Sequence, residues 1–310
     1  MDAAIRSIMA CAVSKEAEQM KIVENRKKFF AASLIVIIIG FAAMIFNAQA
    51  GRGAFQYDIE FTGGTSFDLD LGQDYEQEDL QKIITDVTGQ DSPQVQQVIG
   101  TNEVTVKIQS IDSATRETLT NAILEAYPNA VMGEVNDVSG TVSHEMQTAA
   151  IKATLIAAVA MLLYISLRFH DFRAGGSAII ALLHDVLIVL TAYAVFRIPV
   201  NNTFIVVLLT ILGYSINATI VIFDRIRENK SAFHANQTAE KINKSISQTL
   251  ARSINTSLTT FFTVGAIYVL GVPALKEFAL PMMIGILAGA YSSVCISGSI
   301  WYVLLPKSEK

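Results

Sequence analysis

Apolar residues gather in six stretches of the chain, each long enough to cross a lipid bilayer as a helix. A helix needs about 20 mostly apolar residues to span the hydrocarbon core, and runs of this length predict transmembrane helices. The predicted spans are residues 29–47, 150–167, 177–196, 204–223, 254–271 and 278–304. The sequence therefore predicts a polytopic α-helical membrane protein with six transmembrane helices.

The first span also has features of a cleavable signal peptide. Basic residues precede it, and Ala48-Gln49-Ala50 after it imitates a signal-peptidase site. Its apolar run, 29–46, is longer than the roughly 7–15 residues of a signal-peptide core. We therefore expect this segment to be retained as a signal anchor.

Residues 51–145, between the first two spans, show the periodicities of a separate α+β domain. Period-2 alternation predicts strands, and 3.6-residue periodicity predicts helices. The strands fall at 65–71, 93–100, 103–109 and 130–138, the helices at 76–89 and 113–127, and a turn at Gly100-Thr101-Asn102. The order βαββαβ is that of the split βαβ, ferredoxin-like arrangement. Because this fold serves many functions, it does not by itself indicate an activity.

The distribution of basic residues predicts the orientation in the membrane. Lysines and arginines are concentrated before span 1, between spans 2 and 3, between spans 4 and 5, and after span 6. The alternate short loops contain only Arg197 and Lys276. Since such residues stay on the cytoplasmic side, we expect residues 1–28, the 224–253 loop and the 306–310 tail to be cytoplasmic. The 51–145 domain is then extracytoplasmic, and residues 146–305 hold spans 2–6.

The 224–253 loop has an apolar periodicity of its own. Ile242, Ile246 and Leu250 recur every four residues, with polar residues between them. This spacing predicts an amphipathic helix, which we expect to lie along the inner surface of the membrane.

Composition argues against several classes of function. The chain is 52% hydrophobic, with a mean hydropathy of +0.43. Cys11 and Cys295 form no disulfide framework, and the sequence lacks Cys/His metal spacing, a P-loop, a GxGxxG and a GxSxG motif. We therefore expect no cofactor, no metal and no nucleic-acid partner.

Polar side chains inside spans are costly, so each is a functional hypothesis. In span 3, a charged Asp185 beside His184 would cost about 2.5–3.5 kcal/mol near the helix centre. Such a carboxyl either carries protons or hydrogen-bonds a neighbouring helix. In span 4, Ser215, Asn217 and Thr219 interrupt the apolar pattern. For Ser215 and Thr219, hydrogen bonding between helices is the simpler interpretation.

Spans 5 and 6 carry two further patterns. Arg252 precedes a hydroxyl-rich run made of Asn255, Thr256, Ser257, Thr259 and Thr260. We expect this face to line a polar interior, with Arg252 either reaching the inner surface or acting as a counter-charge in an ion path. In span 6, small residues recur every four positions at Gly285, Gly289, Ser293 and Ser297. This stripe predicts close helix packing.

Several long motifs resemble one family. "YDIEFTGGTSF", "MLLYISLRFHDFRAGGSAIIALLHDVLI", "GYSINATIVIFDRIREN" and "SISQTLARSINTSLTTFFTV" occur in this order and are similar to the SecF family of bacterial protein export. The resemblance covers nearly the whole chain. It implies six membrane helices in a bundle like half of a resistance-nodulation-division (RND) transporter, with the extracytoplasmic ferredoxin-like domain between helices 1 and 2.

The resemblance also implies a function and its partners. A SecF subunit pairs with SecD in the bacterial cytoplasmic membrane and assists late steps of preprotein export through the SecYEG channel. It uses proton flow, or sodium flow in some relatives, without covalent catalysis. Implied partners are therefore SecD, SecYEG, a YajC-type small subunit, unfolded preproteins on the outer face and the lipid bilayer.

The family's ion path can be transferred only in part. Asp185 matches the family's "HD" pair, and Arg252 matches the basic residue ahead of "NTSLTT". The family usually has "GYSINDT", whereas this chain has Ala218 in place of that Asp. The predicted ion-path residues are Asp185, Asn217, Ala218, Thr219, Arg252, Asn255 and Thr256. Two alternatives stay open: a structural SecD-binding subunit without ion coupling, and half of a small-molecule RND exporter.

Overall fold

The computed structural model describes residues 21–90, 93–97, 102–169, 171–234 and 237–306. In chain order its elements are α1 (Arg26–Gln49), β1 (Gln56–Tyr57), α2 (Ile59–Thr62), β2 (Gly64–Asp70), α3 (Gln77–Thr88), β3 (Gln94–Gln97), β4 (Glu103–Ile108), α4 (Ser113–Ala126), β5 (Val131–Val138), α5 (Gly140–Phe169), α6 (Phe172–Phe196), β6 (Pro199–Val200), α7 (Asn202–Glu228), a 3₁₀ turn (Asn229–Ala232), α8 (Thr238–Leu270), α9 (Pro273–Tyr291), a π-helical turn (Ser292–Ser297) and α10 (Gly298–Leu304). Six helices, the last formed by α9, the π turn and α10, are long and apolar enough to cross a membrane. The six predicted spans are therefore confirmed.

The described residues from Gly64 to Val138 fold as a four-stranded sheet with two helices, α3 and α4. The strand order is β3-β4-β2-β5, and all neighbouring strands are antiparallel. Alternate residues point to the core, where Phe67 of β2 lies opposite Val106 of β4, and both are almost fully buried. Leu80 of α3 and Leu119 of α4 complete this core with no exposed surface. The elements follow the predicted order βαββαβ. Of the predicted turn, Gly100 and Thr101 lie outside the described residues.

Short elements join this domain to the end of the helix bundle. β1 pairs in parallel with β6, which connects α6 to α7. α2 packs on the start of α5, where the Ser143 hydroxyl donates to the carbonyl of Ile59 at 3.2 Å and the Gln147 amide donates to the carbonyl of Phe61. The domain therefore sits at the end of the bundle where α6 ends and α7 begins.

Within the bundle, three spans form the centre. About half of the apolar stretch is buried in α6 (50%), in α7 (44%) and in the α9–α10 span (56%), against only 11% in α1 and 6% in α5. α1 and α5 therefore present most of their surface outward. α8 is also exposed over much of its length, with 17% buried. This exposure matters below because α8 carries polar residues.

The structure differs from the sequence prediction in the 224–253 loop. α7 continues to Glu228, and α8 runs unbroken from Thr238 to Leu270. Ile242 and Ile246 are fully buried against α6 and α7 rather than lying along the membrane surface. The physical reason is a buried stripe that continues along α8 through Thr249, Ser253 and Ser257. The apolar pair is thus the first part of one packed helix.

Candidate functional site

The buried carboxylate of Asp185 lies at the meeting point of three elements of the bundle. Asp185, on α6, has no exposed surface. Its Oδ2 accepts hydrogen bonds from the Ser215 hydroxyl of α7 at 2.5 Å and from the Ser292 hydroxyl of the π turn at 2.8 Å. Hydrogen bonds to an ionised acceptor are stronger than neutral ones. The two serines therefore stabilise a charge that would be costly in this environment.

His184 contacts the other carboxylate oxygen. Its Nδ1 lies 2.9 Å from Oδ1 of Asp185, and its side chain is 8% exposed. Nε2 is buried and has no hydrogen-bond partner among the residues that the structure describes. When Nδ1 carries the proton and donates to the carboxylate, the neutral ring leaves the lone pair of Nε2 open. The imidazole and the carboxylate therefore form one buried hydrogen-bonded pair.

Tyr291 closes the outer side of this pair. Its ring centroid lies 6.0 Å from that of His184, and its hydroxyl donates to the backbone carbonyl of Phe29 in α1 at 2.9 Å. The ring therefore connects the carboxylate site to α1, the outermost helix on this side. Aromatic cover of this kind keeps water away from the imidazole.

The π turn sets the position of Ser292. An α-helix would continue past Tyr291 at 3.6 residues per turn, whereas Ser292–Ser297 is wound more widely. Ser292, Ser293 and Ser297 all have zero exposure. The hydroxyls of Ser293 and Ser297 each donate to a carbonyl four residues earlier, at 2.7 Å. π turns inside α-helices often occur at functional sites, and this one turns Ser292 toward Asp185.

α9 packs closely on α7 beside Ser215. A Cβ placed on Gly285 would lie 2.0 Å from Cδ1 of Ile211, and one on Gly289 would lie 3.0 Å from Cβ of Ser215. Only glycine fits at the first of these positions without movement. Gly285 and Gly289 thus lie at the crossing of the two helices, as their predicted packing role requires.

The other predicted ion-path residues lie apart from Asp185. Thr219 is 2% exposed, Ala218 is half-buried and Asn217 is exposed on α7. On α8, Arg252, Asn255 and Thr256 are all exposed. No hydrogen bond or ion pair joins Asp185 to any of these residues in the part of the chain that the structure describes. The predicted set is therefore divided between a buried site and an exposed polar surface.

That exposed polar surface has few internal partners. The Thr256 hydroxyl donates to the carbonyl of Arg252 at 2.9 Å, and the Thr259 hydroxyl to that of Thr256 at 2.9 Å. These bonds satisfy the hydroxyls within α8 itself. Among the described residues, none forms an ion pair with the guanidinium of Arg252.

Sequence reasoning missed Ser292. The small-residue stripe predicts Ser293 and Ser297, one residue away, because it assumes regular helical spacing. The π turn breaks that spacing and brings the neighbouring serine inward. A serine next to a stripe of small residues is only a weak sequence signal of a functional site. The hydrogen bond to Asp185 is what identifies Ser292 as part of this site.

Comparisons with known proteins place this architecture in one family. The family model described as "Protein export membrane protein SecD/SecF, C-terminal" matches residues 117–307. Protein translocase subunit SecF of Petrotoga mobilis is 31% identical over 92% of this chain and 96% of its own length. SecF of Acidaminococcus fermentans is 31% identical over 94% and 100%, and SecF of Vibrio alginolyticus is 35% identical over 79% and 78%.

A solved structure agrees with these relatives. The crystal structure of SecDF, a translocon-associated membrane protein from Thermus thermophilus, superposes with a TM-score of 0.81 at 31% identity. The match covers 92% of this chain and 38% of the SecDF chain, so this chain spans well under half of that protein. Both the family model and the full-length relatives support the same assignment. This chain belongs to the SecF family of protein translocase subunits.

Proposed function

We propose that this chain pairs with a SecD subunit and uses the proton gradient across the bacterial cytoplasmic membrane to promote late steps of preprotein export through SecYEG. The observation that carries the proposal is the buried carboxylate of Asp185, bound by Ser215, Ser292 and His184. With the orientation that the basic residues predict, both termini are cytoplasmic, and the 51–145 domain faces the polypeptide that emerges on the outer side of the membrane. A YajC-type subunit fits the same assembly.

The energetics allow Asp185 to change its protonation state. An ionised Asp at the centre of a span costs about 2.5–3.5 kcal/mol, and each hydrogen bond to a charged group returns about 1.5–3 kcal/mol. Two serine hydroxyls, which together return about 3–6 kcal/mol, therefore offset that cost in full. A proton crossing the membrane releases about 2.3 kcal/mol per 100 mV. This energy is similar in size to each of these terms, so the gradient can bias the site.

The exposed polar residues support a partner bundle. Asn217 and Asn255 lie within predicted spans and would face hydrocarbon if this chain stood alone in the membrane. Polar residues inside spans almost always face a bundle interior or water. A second six-span bundle, supplied by SecD, would cover this surface and give protons a polar route. The SecDF chain of Thermus thermophilus is longer than this chain, which matches 38% of it.

One experiment tests the ion coupling directly. The chain is reconstituted with SecD, SecYEG and SecA, and translocation is measured with and without an imposed proton gradient. Asp185→Asn keeps the shape of the side chain and one oxygen that can accept from Ser215 and Ser292, but it replaces the other oxygen by an NH2 donor and removes the titratable group. We expect this variant to lose the gradient-stimulated component and to keep the ATP-driven component.

The matched control removes a carboxylate at the edge of the membrane. Asp224, near the end of α7, pairs with Arg168 at 2.8 Å, and we expect Asp224→Asn to retain gradient stimulation. Full stimulation in Asp185→Asn would contradict our assignment of the proton-carrying group. Co-purification with SecD verifies that each variant still assembles.

A second function is favoured by Ala218. Without a carboxylate at that position, the chain would serve SecD only as a structural subunit. The same assay separates the two functions. A wild-type complex with no gradient stimulation, in which Ala218→Asp creates it, would assign the structural role. Stimulation in the wild type that Ala218→Asp leaves unchanged supports coupling through Asp185.

A further inference from the structure

A basic cavity opens at the end of the bundle where α7 ends and α8 begins. Its volume is about 490 Å³, within the range of small-molecule sites. Four cationic side chains line it: Arg173, Arg227, Lys230 and Lys241. Asp171 is the carboxylate that lines it with them. Among the residues that the structure describes, the lining carries a formal excess of three positive charges, and the guanidinium of Arg227 also lies 3.5 Å from the carboxylate of Asp224.

Both oxygens of the Asp171 carboxylate accept hydrogen bonds from within the protein. Its Oδ1 accepts the backbone N–H of Arg173 at 2.9 Å and caps α6, while its Oδ2 accepts the indole N–H of Trp301 at 3.0 Å. The Nζ of Lys241 lies 5.8 Å from the centroid of the Trp301 ring. Asp171 therefore fixes the Trp301 ring, and Lys241 lies over that ring.

The inner part of the same cavity is apolar. Phe223, Ile226 and Leu305 line it, each between 3% and 6% exposed. Phe223 meets Trp301 edge to face, with ring centroids 6.0 Å apart. A cavity with an apolar floor and a cationic rim matches an amphiphile with a negative headgroup.

We propose that this cavity binds the headgroup of an anionic phospholipid such as phosphatidylglycerol. Tryptophan is enriched at membrane–water interfaces, and basic pockets between transmembrane helices bind anionic lipid headgroups. Phe172, between two lining residues, exposes 86% of its surface. An exposed phenylalanine side chain makes favourable contacts with acyl chains but not with water. Its position beside the cavity therefore favours a lipid over a soluble phosphate.

Topology alone does not require this arrangement. The tendency of basic residues to remain on the cytoplasmic side demands their presence near span ends, not their convergence on one cavity. Residues from α6, α7, α8 and the 3₁₀ turn converge here, together with Trp301 of α10. The cavity shares no residue with the Asp185 site, so lipid binding and ion coupling can succeed or fail independently.

The chain offers a direct probe because Trp301 is its only tryptophan. The full chain is placed in phosphatidylcholine vesicles that contain a small fixed fraction of one lipid brominated in its acyl chains near the headgroup. Quenching of Trp301 fluorescence is compared between brominated phosphatidylglycerol and brominated phosphatidylcholine. We expect stronger quenching by phosphatidylglycerol, and equal quenching by the two lipids would overturn the proposal.

Paired charge variants make the test specific. Arg227→Gln with Lys230→Gln removes two exposed cations of the cavity, and Lys27→Gln with Lys244→Gln removes two exposed cations outside its lining. Each cation near an anionic surface contributes about fivefold in binding. The cavity variant should therefore lose most of the preference and the control variant should keep it. Equal loss in both variants would assign the effect to general surface charge and refute a defined site.

A final arm separates the two sources of phosphate. Millimolar inorganic phosphate is titrated onto the wild-type chain in pure phosphatidylcholine vesicles. We expect no change in Trp301 emission, since phosphate alone gains nothing from the apolar floor. A saturable change that abolishes the phosphatidylglycerol preference would mean that the site takes a soluble anion and would overturn the lipid assignment.

Discussion

Replacement of Gly285 by alanine tests whether the crossing of α9 on α7 is as tight as the structure indicates. The new Cβ would lie 2.0 Å from Cδ1 and 2.5 Å from Cγ1 of Ile211. Carbon atoms in favourable contact lie about 3.5–4.0 Å apart. Ile211 is 1% exposed and β-branched, so it has little room to change rotamer. The two helices must therefore separate.

The expected cost follows from two opposing terms. Overpacking of a dense core costs typically about 1–3 kcal/mol, while alanine in a helix interior is favoured over glycine by up to about 1 kcal/mol. The matched control is Gly213→Ala on α7, where an added Cβ meets no atom within 4 Å. The propensity gain is common to both variants, so their free energies of unfolding should differ by about 1–3 kcal/mol.

The assay is denaturant unfolding of the full chain in detergent, with the Ile211→Ala background as a rescue. Ile211→Ala removes all three side-chain atoms that the new Cβ would approach. Although Ile211→Ala is itself destabilising by about 2–5 kcal/mol, Gly285→Ala should cost nothing further in that background. Coupling between contacting residues is expected to be about 0.5–3 kcal/mol.

Two results would refute this reasoning. If Gly285→Ala and Gly213→Ala unfolded at the same denaturant concentration, α9 would have room at Gly285 and the close crossing would not exist. If the loss persisted in the Ile211→Ala background, the clash would lie elsewhere. Either result would also contradict the close approach of Gly289 to Ser215, which depends on the same crossing.

Two further predictions concern the domain between α1 and α5. Lys107→Met should lower the free energy of unfolding by about 3–5 kcal/mol, because it removes the ammonium group that lies 2.7 Å from the buried carboxylate of Asp58, which is 5% exposed. Urea unfolding measures this loss, and an unfolding midpoint equal to that of the wild type would contradict the prediction. The pKa of Asp137 is lowered, first by the hydrogen bond from Thr65 and then by Arg116, so its contribution to stability is present above the ordinary carboxyl pKa and lost as pH falls through the lowered value. Thr65→Val should raise the pKa of Asp137 in an NMR titration; an unchanged pKa would show that Arg116 alone holds it.

The six spans and the order of elements in the domain could be predicted from the sequence, because both depend on local patterns. The span predicted at 29–47 lies within α1, since a run of apolar residues must be helical in hydrocarbon whatever it packs against. The strand order in the sheet needed the structure. The pairing of β2 with β4 and β5 joins residues distant along the chain, and alternation alone does not choose among partners.

The partners of Asp185 could not be predicted for a related reason. Ser215 follows it by 30 residues and Ser292 by 107 residues. Ser215 lies on α7 beside the crossing with α9, and Ser292 lies at the start of a π turn. Neither geometry has a reliable sequence signal. The polarity of Ser215 in span 4 was visible, but it favoured hydrogen bonding between helices in general. The structure identifies the acceptor as the carboxylate.

The position of Ala218 bears on how such a site would couple to a partner. Ala218 is three residues after Ser215 and thus about one turn along α7, on a half-buried part of the helix rather than in the centre. An aspartate there would place a carboxylate toward the exposed polar surface of α7 and α8. In this chain the buried acid is instead on α6, behind Ser215. On our proposal a proton must then pass between the partner surface and the buried carboxylate of Asp185. Ser215 hydrogen-bonds that carboxylate from the α7 side. Loss of the Ser215 hydroxyl should therefore slow ion coupling although the acid is still present.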